Sequence, residues 1–339
     1  MNKELLNLTK RLSDAFGPTG CEDEVKKKII SYLGSGANQD KFGNVVYFKK
    51  GTASKQTVML TAYLDEVGFI VTKVEKEGYI RFATLGGLPT QYLSGRICEV
   101  GDENSRIKGV LAAKPIHLLS ADERKKPTPA DKIYVETGFT KEQLPENIRL
   151  GAFGTYFSEC EGFGEDCIKG KALSTRLGCA VLCWIAKHKE PKNDTYFVFS
   201  PMYKVERARS ALAAAEIKPD INIALVGQNV APREGTPVHT RQAATGDGVV
   251  LSYVDDRTIF DRAATDAIAG ICKAKKIKFQ YKRSAQGAAD GGVNKAGAGV
   301  RCLWLAYPVK YINSANEIVS LSDADAVQKL LSALSEVDL

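Results

Sequence analysis

The run Val58-Met59-Leu60-Thr61-Ala62 is short and apolar, as a buried strand requires, and it stops at Tyr63-Leu64-Asp65-Glu66. Side chains at i and i+2 leave a strand on one side, so Tyr63 and Asp65 are expected to face one space. In an open α/β sheet the carboxyl ends of strands border the crevice where chemistry is placed. A metal hydrolase would want an imidazole where Tyr63 stands, with Asp65 behind it to orient the ring. This chain offers a phenol. Only three histidines (His117, His188 and His239) occur in 339 residues, so a histidine-ligated metal cluster is not expected. The eight cysteines read as free thiols. Cys179 and Cys183, one helical turn apart in an apolar stretch, read as core rather than as a metal site.

The elements that must hold these residues follow an interrupted α/β rhythm. Residues 2–15 and 22–33 read as amphipathic helices, with Thr19 and Glu22 spaced as a capping box. Residues 43–48 read as a strand, and the strand ending at Tyr63 follows. From Gly68 to Gly164 the pattern changes to short strands: 69–74 and 79–84 around the turn Glu75-Lys76-Glu77-Gly78, then 96–100, 107–112, 133–137 and 152–157. About a hundred such residues inside an α/β chain predict an inserted β-barrel domain. The rhythm then returns with a helix 176–188, a strand 196–199, a helix 207–215, strands 221–226 and 249–253, a helix 259–273, a strand 300–306 and a closing helix capped at Ser322.

A hydrophobic fraction of 44%, a charged fraction of 26% and a net charge of +7 describe a globular, mildly basic chain. Its lysines are dispersed at helical spacing without interleaved aromatics, which reads as solvated helix faces and predicts no nucleic-acid partner. No apolar run approaches 18 residues, so a cytoplasmic protein without membrane association is expected. Gly246-x-Gly248 is too short for a phosphate loop.

The order of segments resembles the glutamyl-aminopeptidase-like family of di-metal exopeptidases, the tetrahedral dodecameric aminopeptidases, some members of which are labelled endoglucanases. The landmarks are Gly43-Asn44, Leu60-Thr61-Ala62, Asp65-Glu66-Val67-Gly68-Phe69, Lys114-Pro115-Ile116-His117-Leu118-Leu119, Glu123-Arg124-Lys125-Lys126-Pro127, Gly170-Lys171-Ala172-Leu173, Arg176-Leu177-Gly178-Cys179 and Tyr311-Ile312. The resemblance implies an α/β hydrolase-like sheet of the zinc-exopeptidase type, covered by helices on both faces, with a small inserted β-barrel. It divides the chain into a discontinuous α/β domain (1–67 and 165–339) and a barrel (68–164) that carries oligomerisation.

Carried over position by position, the resemblance removes the family's chemistry. The metal-binding His falls on Tyr63, with the supporting Asp65 retained. The Asp-Asp-Arg motif with the bridging carboxylate falls on Ser174-Thr175-Arg176. The Glu-Glu pair of general base and ligand falls on Tyr203 and Lys204, with Glu206 nearby under a shifted alignment. The next Asp ligand falls on Val226, and the last His falls on Asn313. Two divalent cations need several anionic oxygens and imidazoles to offset their charge and dehydration, so no metal and no cofactor are expected here. Lys204 and Asp65 are expected to fill the vacated volume, with Tyr63 and Asn313 as hydrogen-bonding partners. Asp290 falls in a Gly-rich segment that lines the family's substrate pocket. Asp255-Asp256-Arg257 and His117 are expected to be structural.

Two readings of function follow. One is a pseudoenzyme that binds a peptide or small molecule, or serves as a structural or regulatory subunit of a homo-oligomer, alone or beside an active relative. The other is an active aminopeptidase or peptide hydrolase with a rebuilt site. A Ser-Lys hydrolase built from Ser174 and Lys204 is a chemical variant of the second.

Overall fold

Four strands whose residues are buried almost end to end form the centre of the protein, and parallel strands covered on both faces read as such continuous apolar runs. The structure is a computed structural model that describes residues 1–206, 208–230, 242–256, 258–283 and 299–338. Two helices, α1 (Lys3–Asp14) and α2 (Asp23–Leu33), precede β1 (Ala37–Gln39), β2 (Val45–Lys49) and β3 (Thr57–Tyr63). Six strands then close a barrel: β4 (Gly68–Val74), β5 (Ile80–Leu85), β6 (Ile97–Gly101), β7 (Arg106–Ala113), β8 (Ile133–Glu136) and β9 (Phe153–Tyr156), in the order β4-β5-β8-β7-β6-β9.

After β10 (Glu161–Phe163) and β11 (Cys167–Gly170) come α3 (Leu173–His188), β12 (Asp194–Ser200), α4 (Arg209–Ile217), β13 (Ile221–Asn229), β14 (Val249–Leu251), α5 (Arg262–Ala274), β15 (Phe279–Tyr281), β16 (Arg301–Val309), β17 (Glu317–Ser320) and α6 (Leu321–Leu334). The main sheet runs β1-β2-β12-β3-β13-β16-β14-β15, with β12, β3, β13 and β16 parallel. β10, β11 and β17 form a small separate sheet.

Alternation along the strands sorts the core into two faces. Val58, Leu60 and Ala62 of β3 pack with α1, α2, α3, α5 and α6. Met59 and Tyr63 point to the opposite face, where Ala213 and Ala214 of α4 and Val226 of β13 join them. Gly178 lets α3 lie directly on the sheet, because a Cβ there would stand 3.0 Å from Leu225 O. No described helix is long and apolar enough to cross a membrane.

Three local expectations need correction. The Thr19/Glu22 capping box does not form: Thr19 N is taken by Glu66 O at 3.0 Å, Glu22 turns inward to accept Gly20 N and Met202 N, and Glu22 itself stands at the helix N-cap without a side-chain cap bond. The last helix is capped by Ser320, which accepts Ser322 N, rather than by Ser322. The helix expected at Arg176 begins at Leu173, so Ser174 and Thr175 lie in its first turn.

Candidate functional site

The turn after β3 is tied down before any site residue is placed. Leu64 N donates to Ser200 O at 2.9 Å, and Glu66 N donates to Gly17 O at 3.0 Å. Beneath the turn, the fully buried guanidinium of Arg176 donates to the carbonyls of Leu12, Ala15, Gly17 and Leu64. Lys171 Nζ lies 2.8 Å from Glu66 Oε1, and Arg176 reaches the same oxygen at 3.4 Å. Two buried cations thus share one carboxylate, and backbone carbonyls take up their remaining donors. Because a buried charge left without its partner is strongly destabilising, this cluster fixes α1, the 15–20 loop and the end of β3 in one arrangement.

Above this base lies a polar centre drawn from five segments. Asp65 is fully buried, and its Oδ2 accepts Lys204 N at 2.8 Å. Thr175 Oγ1 donates to Asp65 O at 2.8 Å. Lys204 Nζ donates to Asn313 Oδ1 at 2.8 Å. Asn313 N donates to Glu317 Oε1 at 2.8 Å, and Ser174 adds its backbone N at 2.5 Å and its Oγ at 3.0 Å to the same carboxylate. Tyr63 stacks on Tyr203 with ring centroids 3.9 Å apart. Val226 sits in the same apolar layer as these two rings.

Burial raises the pKa of Asp65 and of Glu317 above the usual carboxylate range, while the Lys204 charge and the donated hydrogen bonds pull both back. Glu22 is raised as well, by burial and then by the charge of Asp65. The ammonium of Lys204 is therefore a cation placed among buried acids.

Tyr63, Asp65, Ser174, Thr175, Tyr203, Lys204, Val226 and Asn313 thus gather at the ends of β3, β12, β13 and β16 and at the start of α3. Asp290, His239 and Arg257 lie outside the described residues. One expected pairing is altered: Asp65 receives the backbone N–H of Lys204, and the ammonium donates to Asn313. Glu22 and Glu317 were missed. The signal for Glu317 was its place four residues after Asn313; for Glu22 the sequence suggested only a helix cap.

Backbone conformation marks the same place. Six described non-glycine residues have left-handed φ, and four of them border the site: Ala172 (55°), Met202 (59°), Tyr311 (58°) and Asn313 (67°). Such conformations are held only where the surrounding structure imposes them, and they concentrate at functional sites. Gly86, at φ +72°, brings the end of the barrel's β5 onto Lys204, since a Cβ there would stand 2.7 Å from Lys204 Cβ.

Among the described residues, no group of three or more His, Cys, Asp or Glu side chains is placed to hold a metal ion. Phenols, a hydroxyl, an amide, an isopropyl group and an ammonium do not make the donor set for a pair of divalent ions. Nor do Ser174 and Lys204 form a dyad in this arrangement, since the hydroxyl donates to Glu317 and the ammonium to Asn313.

The family model described as M42 glutamyl aminopeptidase matches residues 43–330. A putative aminopeptidase of Acetivibrio thermocellus is 27% identical over 97% of this chain and 98% of its own length. The structure of a TET aminopeptidase from the archaeon Thaumarchaeota archaeon SCGC AB-539-E09 superposes with a TM-score of 0.91 at 27% identity, covering 97% of this chain and 95% of that one. The fold is also that of the Pyrococcus horikoshii TET1 peptidase, whose structure is described as assembling into a tetrahedron or a large octahedral shell (TM-score 0.86, 22% identity, 98% and 99% covered). These matches overturn the expectation of no cofactor, because aminopeptidases of the matched family are metal-dependent and a divalent metal is what the match points to. The disagreement then concerns position: the side chains of Tyr63, Ser174, Lys204, Val226 and Asn313, as they stand here, do not fit such an ion. With most of its length matched, the chain belongs to the M42 glutamyl aminopeptidase family.

Proposed function

We propose that this member of the family binds peptides or small molecules in its cleft without hydrolysing them, as a pseudoenzyme of the cytoplasm. The observation that carries the reading is the contact of Lys204 Nζ with Asn313 Oδ1. The resemblance assigns these two places to a carboxylate of the Glu-Glu pair and to the last histidine. A protonated amine cannot take a proton from water as a general base must. The test is release of amino acids from a panel of aminoacyl amides, with and without added zinc or cobalt. No release under either condition supports the reading, and metal-stimulated release would overturn it.

A second reading is an active peptide hydrolase with a rebuilt site. It is favoured by the three buried carboxyls that remain, Glu22, Asp65 and Glu317, and by the aminopeptidase names of the relatives. The same assay decides between the two.

We further propose that residues 68–164 act as a unit through which the chain forms a homo-oligomer, alone or with an active relative. Ile116, Leu118 and Leu150 of that segment are more than half exposed, which leaves apolar side chains available to a partner. The shells named for the Pyrococcus protein support this reading. Light scattering that finds only a 36.8 kDa species would contradict it.

A further inference from the structure

Beside the polar centre, a cavity of about 320 Å³ opens between the barrel and the ends of β13 and β16. Gly87, Tyr92, Asn229, Lys310, Tyr311 and Asn313 line it, and no Asp or Glu is among its described lining residues. Asn313 forms its inner wall, and the orientation of that amide follows from chemistry. An ammonium has protons to donate and no lone pair, so the atom that meets Lys204 Nζ at 2.8 Å must be the amide oxygen. The amide nitrogen therefore points the other way, toward Gly87. A Cβ built on Gly87 would stand 4.0 Å from Asn313 Nδ2. Gly87 itself has φ +75°, so the barrel's loop turns there without placing a side chain over the amide.

The backbone holds this amide as firmly as the side chain does. Asn313 has a left-handed φ of 67°, a conformation that asparagine tolerates better than most residues. Its N–H is committed to Glu317. An N–H of Nδ2 is thus available on the cavity side from a fixed frame, with the Lys204 charge behind the amide and the Lys310 ammonium and two phenols in the same lining.

We propose that this cavity is a carboxylate-binding site, which takes the C-terminal carboxylate of a peptide or acylated amino acid through Asn313 Nδ2. The proposal rests on the reading of the cleft as a binding site rather than a hydrolytic one. An N–H of Nδ2 that donates to a carboxylate oxygen makes a charge-assisted hydrogen bond, and such bonds are about twice as strong as neutral ones.

The test uses calorimetric titration of the full chain with N-acetylated dipeptides bearing either a free carboxylate or a C-terminal amide, together with dipeptide amides bearing a free amino group. Binding of the carboxylates at least tenfold tighter than of either amide series is expected. Asn313→Asp keeps the size and the left-handed tolerance of the residue, keeps an oxygen for Lys204 and turns a second oxygen toward the cavity. It is expected to lower carboxylate affinity at least tenfold while the unfolding curve stays cooperative. Equal binding of acids and amides, a preference for the free amine, unchanged affinity in Asn313→Asp, or no binding of any probe up to millimolar concentration would each overturn the proposal. Mass spectrometry of the same samples keeps the two readings apart. Cleaved probes would count against the pseudoenzyme reading, and an uncleaved but unselective set would count against the carboxylate site alone.

Discussion

Replacing Lys204 by methionine keeps the length of the side chain and removes its charge. In the folded protein the ammonium donates to Asn313 Oδ1 at 2.8 Å, and its field lowers the pKa of both Asp65 and Glu317, whose side chains are almost wholly buried. A hydrogen bond from a charged donor contributes about 1.5–3 kcal/mol, and removing one partner of a buried charged group costs about 3–5 kcal/mol. Lys204 is itself only half-buried, so a loss of roughly 2–4 kcal/mol near pH 7.5 is the reasonable scale. The effect must depend on pH. Asp65 and Glu317 have raised pKa values in the folded state, so protonation stabilises the fold, and that contribution is lost as pH rises through the folded pKa of each group. Without Lys204 both values rise further, and the variant should lose more than the parent over that window. Urea unfolding at pH 4.5 and 7.5 reads this directly: the gap between parent and Lys204→Met should be larger at pH 7.5. A variant as stable as the parent, or a gap independent of pH, would refute the electrostatic account of the centre.

Arg176→Met leaves Glu66 with one cation fewer and orphans several buried carbonyls; a loss of about 3–5 kcal/mol, read by urea unfolding, is expected. Asp323 accepts Gly246 N and Gly248 N at 2.8 Å each, yet burial raises its carboxyl to about 6. Its contribution to stability is therefore fully present below about pH 4 and declines as pH climbs through about 6, a change of roughly 1–2 kcal/mol after screening, and Asp323→Asn should remove that part of the pH profile. Ser174 should resist a serine-directed fluorophosphonate, because it is buried and its hydroxyl is held by Glu317; labelling at Ser174 in a peptide map would contradict this.

The central strands were legible because four buried segments of seven to nine residues leave little choice of structure. The same holds for the barrel, whose strands were expected within a residue or two of their observed ends. Strands β1, β10, β11, β15 and β17 were not foreseen. Each has three or four residues and takes its conformation from the neighbour it pairs with rather than from its own pattern. In the site, Tyr63 and Asp65 were legible from the abrupt end of an apolar run. Glu22 and Glu317 were not, since a carboxylate on a polar turn looks solvated until distant segments bury it. The role of Lys171 was hidden for the same reason: Glu66, its partner, is 105 residues away.

The measurement that bears most directly on the central claim is mass spectrometry of a defined peptide mixture incubated with the purified chain in zinc- or cobalt-supplemented buffer, with bound and free peptides separated before detection. The account predicts that peptides are retained with the protein and recovered at their full mass. Progressive loss of N-terminal residues, abolished by a chelator, would contradict it and would direct attention to the ligands of a rebuilt metal site.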